Sequence, residues 1–344
     1  MSATLVARMD SAGDVLLAGP AIRAVAAGAG PVAVLCGHRG RAAAELLPGV
    51  SEVIEWTAPW IDPDPEPVDA VGPLSLVSLL RNRFARAIVL TSFHQSPLPL
   101  ALLLRMAGVE HVAAISEDYP GSLLDLRHRP DDRHHEVERS LDLVAQLGYR
   151  LPPGDGGELR IKRESAGMAV PAGPYVVVHP GASVPARSWD ADAWRAAAAA
   201  LAARGRRVVV TGGRAERRLA ASVAAAAGPA ARNLSGDTSL SQLAEVIAAA
   251  SAIVVGNTGP AHLAAAVGTP VVSIFAPTVP AHRWRPWAVP HVLLGEQDIP
   301  CAGCRARVCP VPGHPCISRI PPAAVVDAVE RLTADRGTAV AVAG

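Results

Sequence analysis

Apolar and polar positions fall in blocks that read as strand, loop and helix in turn. Residues 4–7 (Thr4-Leu5-Val6-Ala7) form a short continuous apolar run, the mark of a buried strand. Residues 10–14 then read as a turn-rich loop, and 15–27 have helical spacing, with Pro20 placed to kink the helix. Further strands are predicted at 31–35, 86–90 and 112–115, and a helix at about 98–107. From about 152 to 174 the chain becomes rich in proline, glycine and charge without a lasting period, which reads as an interdomain linker. The alternation restarts with strands at 175–179, 207–211, 252–255 and 270–275, and helices at 192–204, 216–227, 240–250 and 261–267. Pro321-Pro322 open a last helix to about 334, followed by a frayed tail.

Strands alternating with helices predict parallel sheets covered on both faces. The expected fold class is α/β, with two Rossmann-like domains facing each other across a cleft. The expected boundaries are an N-terminal domain over 1–155, a linker over 156–173, a C-terminal domain over 174–320, and a helix and tail over 321–344.

A chain of 344 residues is long enough for two cores, and 50% hydrophobic content argues for a folded globule. A formal net charge of +1 gives no reason to expect a polyanion, so nucleic acid is not an expected partner. Alanine and arginine are abundant and Lys162 is the single lysine, a bias that fits a GC-rich genome. The opening stretch has no basic start and carries Arg8 and Asp10 inside its apolar run, so it does not read as a secretory signal. The longest apolar runs, such as 196–203, fall well short of the roughly 20 residues of a membrane span. The expectation is a soluble, cytoplasmic protein with at most peripheral contact at the inner face of the membrane.

Candidate chemistry lies where predicted strands end. The run 252–255 closes at Gly256, and Asn257-Thr258-Gly259-Pro260 leads into a helix predicted from Ala261. In open α/β sheets, ligands bind beyond the carboxyl ends of the strands. A helix starting there offers unpaired N–H groups and a partial positive charge, which suits a diphosphate. Gly259 would let the backbone approach phosphate, Pro260 suits a first helical turn, and His262 would face the same anion. An ordinary strand–helix connection capped by Thr258 is the competing reading, on equal footing from spacing alone. Val178-His179-Pro180-Gly181-Ala182-Ser183 is a second strand end with a glycine turn, followed by Arg187 and Trp189. Ser183 and Arg187 are residue types that bind phosphate oxygens, against the plainer reading of a loop.

At the front, Asp14 stands where the first loop becomes a helix. A carboxylate there is favoured in its ionised form and is available as a general base. The alternative is a first-turn aspartate that only helps the helix start, and Asp10 competes for either role. No Gly-x-Gly-x-x-Gly follows the first strand, so a dinucleotide-dependent dehydrogenase loses its main support. Cys301, Cys304, Cys309 and Cys316 fall within sixteen positions, apart from the solitary Cys36. Four thiolates at such spacings are enough for structural zinc or an iron–sulfur cluster, although the spacing is not that of a standard zinc finger. Free or redox-labile thiols compete with that reading.

Taken together, the segments resemble glycosyltransferase family 9, the heptosyltransferases that use ADP-heptose to build the lipopolysaccharide inner core. The resemblance rests on Gly13-Asp14-Val15-Leu16-Leu17 followed by Pro20, on the block from His179 to Ser183 followed by Arg187 and Trp189, and on Thr211-Gly212-Gly213 followed by Glu216. It ends with Asn257-Thr258-Gly259-Pro260-Ala261-His262 and then Phe275-Ala276-Pro277-Thr278. It implies a GT-B architecture, an inverting reaction and no required cofactor. By the same resemblance Asp14 is the catalytic base. Arg187 takes the place of a donor-binding lysine, and Glu216 matches a position that contacts the donor sugar or ribose. Thr258, Gly259 and His262 match the diphosphate-binding turn. The N-terminal domain would hold a glycan or small-molecule acceptor, and the C-terminal domain an ADP-sugar, heptose first. The family usually carries aspartate where this chain has Asn257, which keeps the shape but removes a charge near the donor.

Two other classes remain: an epimerase-type sugar-nucleotide enzyme of the same fold, and a nucleotide- or metal-binding module without turnover. The first needs an acid/base pair around the donor sugar. The second predicts donor or metal binding without transfer.

Overall fold

The computed structural model describes residues 3–163, 167 and 170–341, with side chains to 334. The chain divides into two compact units, one ending at Lys162 and the other beginning at Arg163. Residues 164–166, 168 and 169 of the predicted linker, and 342–344 of the tail, lie outside the described residues.

The first unit contains β1 (Ala3–Ala7), α1 (Ala12–Leu17), α2 (Gly19–Ala29), β2 (Val32–Cys36), α3 (Arg41–Leu46), β3 (Val50–Glu55) and α4 (Val71–Leu80). It continues with β4 (Phe84–Val89), α5 (Leu98–Met106), β5 (His111–Ile115), β6 (Leu126–His128) and α6 (Glu136–Gln146). The sheet order is β3-β2-β1-β4-β5-β6, with every neighbouring pair parallel. Leu5, Ala7, Leu35, Val89 and Ala114 from its central strands pack with Leu76, Leu100 and Leu104 in one core.

The second unit contains β7 (Val176–His179), α7 (Ala191–Ala203), β8 (Val208–Val210), α8 (Arg217–Ala226), β9 (Arg232–Asn233), α9 (Leu240–Ala248), β10 (Ala252–Gly256) and α10 (Gly259–Val267). It closes with β11 (Val271–Ile274), α11 (Ala281–Trp284), β12 (His291–Leu294), α12 (Pro315–Ser318) and α13 (Pro322–Ala341). Its order, β12-β11-β10-β7-β8-β9, is again parallel throughout. Both units are therefore doubly wound α/β sheets. In each, the strand order reverses once, between β1 and β4 and between β7 and β10, and such switch points are where open sheets bind ligands.

Several local expectations change. The predicted helix over 15–27 is two helices that meet at Ala18. Pro20 does not kink a helix but occupies the first turn of α2, where its missing N–H is tolerated. Part of the loop predicted at 10–14 is already helical, so Asp14 lies in the first turn of α1. The helix predicted from Ala261 starts two residues earlier, at Gly259. The final helix runs past 334 to Ala341.

Residues at the start of the predicted linker are tied to the first unit. Arg23 donates to both oxygens of Asp155, at 2.7 and 2.9 Å, and to the Glu158 carbonyl at 2.8 Å. The Lys162 N–H reaches the Leu46 carbonyl at 2.7 Å. The hydrogen bonds from Arg23 hold the Asp155 carboxyl down at about 2. Among the described residues no helix is long and apolar enough to cross a membrane.

Candidate active site

In the second unit the switch point is built from the loops after β7 and β10. Val255 pairs with His179, which sets the ends of these strands side by side. After His179, the turn through Gly181 and exposed Ser183 leads to a short 3-10 turn, Pro185–Arg187. Arg187 Nε donates to Thr278 Oγ1 at 3.2 Å, and Nη1 lies 3.5 Å from the Asn257 carbonyl oxygen. The guanidinium is thereby tied to the loops after both β10 and β11. Asn257 is buried, and its Nδ2 donates to the Ala276 carbonyl at 3.2 Å.

Thr258 occupies the N-cap position of α10, but its side chain caps nothing. Among the described residues, Thr258 Oγ1 and Asn257 Oδ1 are both buried without a hydrogen-bond partner. Buried polar atoms are nearly always paired, so two orphans side by side at a helix N-terminus mark a place for a polar ligand. The capping alternative for Thr258 fails on this geometry. Gly259 and Pro260 form the first turn, and His262 follows, buried.

Glu216 lies on the neighbouring loop, after β8. Its carboxylate accepts the Gly213 N–H at 2.6 Å and stands 3.8 Å from His179 Nε2. A Cβ at position 181 would collide with this carboxylate, so the glycine there leaves room for Glu216 in its present rotamer. His179 Nδ1 pairs with Thr211 Oγ1 at 2.9 Å. Burial lowers the pKa of His179, with Glu216 pulling the other way, and the ring is neutral at physiological pH. Arg187, Asn257, Thr258, Gly259, Glu216 and Ser183 thus line one sheet edge.

In the first unit the switch point is organised by Arg8, a residue the sequence reading did not single out. Arg8 is 2% exposed. Its Nε contacts Asp10 Oδ2 at 3.0 Å, and Nη2 contacts Asp14 Oδ1 at 3.2 Å and Ser92 Oγ at 3.0 Å. Glu136 stands 3.9 Å from Nη1. Burial works against the Arg8 charge, but Asp10, Asp14 and Glu136 outweigh it and raise its pKa. Ser11 Oγ donates to Asp14 Oδ2 at 2.8 Å, and Gln95 donates to Asp10. Burial pushes the Asp10 carboxyl up to about 6 against the pull of Arg8, with the Asp14 charge adding to the rise. Asp14 is the more accessible carboxylate, 19% exposed against 10% for Asp10. The arrangement is a pair of carboxylates, Asp10 and Asp14, held by one buried guanidinium.

Residues 74–314 match the glycosyltransferase family 9 (heptosyltransferase) profile, most of the chain. The chain belongs to glycosyltransferase family 9. It is 37% identical over 181 residues to lipopolysaccharide heptosyltransferase 1 of Pseudomonas aeruginosa, a stretch covering 51% of this chain and 48% of that relative. The match therefore spans about half of that curated protein's length. Over 97% of this chain and 99% of the other, the fold resembles E. coli ADP-heptose lps heptosyltransferase II, with TM-score 0.75 and 21% identity. It also resembles the iron-containing dodecameric glycosyltransferase TibC of enterotoxigenic E. coli, with TM-score 0.58 and 17% identity over 97% of this chain and 77% of that one. The pair of Rossmann-like units is thus the GT-B fold shared by this family.

Cys301, Cys304 and Cys309 lie on the loop that backs Arg187, and Cys316 lies in α12, which follows it. Arg307 accepts the Ala186 N–H at 2.9 Å through its carbonyl, and His314 Nε2 meets the Ala186 carbonyl at 3.0 Å. Gly303 and Arg305 donate backbone N–H groups to the carbonyls of Pro277 and Thr278, at 2.7 and 2.9 Å. Cys316 is buried, Cys304 exposed, and Cys301 and Cys309 lie between; all are free thiols. Burial raises the Cys316 pKa, and the other three sulfurs add to the rise. The donor chemistry suits a thiophilic metal, but among the described residues no three such side chains are arranged to hold one. Thr278, 91 positions from Arg187, closes the block Phe275-Ala276-Pro277-Thr278, but its bond to Arg187 could not be read from the sequence.

Proposed function

We propose that this chain is an inverting, metal-independent transferase that moves a sugar, heptose first, from an ADP-sugar to a hydroxyl of a glycan or secondary-metabolite acceptor. The observation that carries the donor half is the pair of orphaned buried oxygens, Asn257 Oδ1 and Thr258 Oγ1, beside the uncapped start of α10 and the tethered Arg187. The diphosphate takes the N–H groups of α10 and the guanidinium of Arg187. Together they supply the positive field on the leaving group that a divalent cation supplies elsewhere. Ser183 and Glu216 border the same edge, Glu216 as acceptor for sugar or ribose hydroxyls. The adenine assignment follows the solved relative, named for ADP-heptose.

The acceptor half rests on the first unit. Asp14 takes the proton of the acceptor hydroxyl, and the oxygen attacks the anomeric carbon as the C–O bond to the diphosphate breaks, with inversion. Arg8 holds Asp14 in place through its 3.2 Å contact. Family membership favours this reading over the epimerase type. The reading places the enzyme in the cytoplasm, at or near the inner face of the membrane, and leaves the four cysteines outside the reaction.

Calorimetric titration with ADP, UDP and GDP tests it. ADP is expected to bind in preference to UDP and GDP. Arg187→Ala should weaken it by about 10- to 100-fold, the scale of a charge-assisted contact to phosphate. Asp14→Ala should leave binding intact and lower transfer by about 100-fold or more. Loss of ADP binding in Asp14→Ala, or no effect of Arg187→Ala, overturns the assignment of roles.

A further inference from the structure

The turn that carries Arg187 cannot satisfy its own backbone. Ala186 is the middle residue of Pro185–Arg187 and is 1% exposed. The bonds within the turn run from the Arg187 N–H to the Val184 carbonyl, at 2.8 Å, and from the Ser188 N–H to the Pro185 carbonyl, at 3.0 Å. Neither uses the N–H or the carbonyl of Ala186. Buried backbone groups need partners, and both of these find theirs on the segment between β12 and α12. The Ala186 N–H donates to the Arg307 carbonyl at 2.9 Å, and the Ala186 carbonyl lies 3.0 Å from His314 Nε2. A carbonyl can only accept, so Nε2 carries the proton and the ring donates.

The same segment also holds the group that receives the guanidinium. Arg305 and Gly303 donate backbone N–H groups to the Thr278 and Pro277 carbonyls, at 2.9 and 2.7 Å, and Thr278 Oγ1 accepts Arg187 Nε. Two of these contacts come from backbone conformations that most residues avoid. His314 has φ +48° and Arg305 φ +54°, two of the four non-glycine residues at positive φ among the described residues. Such conformations cost free energy and persist where the surrounding contacts over-determine them. The backbone of His314 is fixed by α12, its carbonyl accepting the N–H groups of Ile317 and Ser318 at 3.3 and 3.1 Å. The ring is thus a donor on a rigid mount.

We propose that His314 is a positioning residue for donor binding: its hydrogen bond to Ala186 keeps the Pro185–Arg187 turn in the arrangement that presents Arg187 to the diphosphate. The proposal rests on the donor reading above. His314 acts through Arg187 and not on the nucleotide. Without the ring, the buried Ala186 carbonyl loses its donor, and the turn is driven toward arrangements that expose it to water. ADP then binds only the fraction of molecules in which Arg187 is in place. A fall of that fraction to about one tenth lowers the apparent affinity about 10-fold.

Calorimetric titration of the full chain with ADP tests this, using His314→Leu, His314→Gln, Arg187→Ala, and His314→Leu combined with Arg187→Ala. The glutamine amide nitrogen stands as many bonds from Cα as Nε2, whereas leucine offers no donor. Neither residue favours a left-handed backbone, so their difference isolates the hydrogen bond. His314→Leu is expected to weaken ADP binding about 10-fold, and His314→Gln to stay within about 3-fold of the parent chain. In the Arg187→Ala background, His314→Leu should change the affinity little, because the group it positions is gone. His314→Asn tolerates the left-handed backbone, but its amide is one bond short; it should match His314→Leu and replaces it in the comparison if the leucine variant does not fold. Equal affinities in the glutamine and leucine variants, or a full second loss from His314→Leu on top of Arg187→Ala, overturns the proposal. If Arg187→Ala weakens ADP and His314→Leu does not, only the positioning role fails. If Arg187→Ala itself leaves ADP binding unchanged, the donor reading fails and this proposal with it.

Discussion

Where the family resemblance implies aspartate this chain has Asn257, and its amide makes a bond that a carboxylate cannot. Its Nδ2 donates to the buried Ala276 carbonyl and leaves Oδ1 facing no protein donor. Asn257→Asp would set a charged oxygen against that carbonyl in a buried position. The variant is expected to lower the thermal midpoint and to weaken ADP binding; tighter binding in the titration would show that the family charge is simply missing here. Asp10 gives a pH signature. Its folded-state pKa is raised to about 6 from the ordinary 3.8, chiefly by burial. A raised carboxyl contributes stability that is full at low pH and is lost as pH rises through about 6. Thermal melts of Asp10→Asn, which lacks this titration, should therefore gain on the parent chain as pH rises from about 4 to about 6. A difference that stays flat across that window would place the Asp10 carboxyl at its ordinary value.

At the scale of elements, the start of α10 separates a structural turn from a ligand site. Replacing a threonine that caps a helix typically costs about 1 kcal/mol. Thr258 takes the cap position without making the cap bond, so Thr258→Val should cost clearly less than that in chemical unfolding. It should still weaken ADP binding in calorimetry, and the opposite pattern would return Thr258 to a capping role. The strands show why some elements could be read and others could not. Those of β1, β2, β4, β5, β7, β8, β10 and β11 are short apolar runs, because a central parallel strand is buried on both faces. β3, β6, β9 and β12 are sheet edges; β9 is exposed and β6 and β12 only half-buried, and β3 carries exposed Ser51 and Glu52. Polar residues break the apolar run in β3, β6 and β9, while β12 carries the short run Val292-Leu293-Leu294 but is only half-buried. α6 was also unread, although His135 and Glu138 form a capping box at its start. Histidine is outside the usual set of N-cap residues, so that signal was silent.

At the scale of the whole molecule, the donor reading predicts where a nucleotide acts. Hydrogen exchange with and without ADP should show protection concentrated at 179–188, 212–216 and 256–262, all in the second unit, and protection confined to the first unit would contradict it. Metal analysis of the purified chain, paired with Cys304→Ser, addresses the cysteine loop, and transfer that survives the substitution keeps those thiols outside the chemistry. The amino-acid sequence by itself determined the alternation of buried strands and helices, the glycine turns at strand ends and the segments that carry the family pattern. Those are local properties, set by side-chain period and turn chemistry within a few residues. Only the tertiary structure decided that Arg8 holds Asp10 and Asp14 while bonding Ser92, 84 positions away. It likewise decided that Arg187 is anchored by Thr278, and that Thr258 leaves its helix uncapped. Such pairings depend on which loops the strand order brings to one sheet edge, and no local period encodes that order.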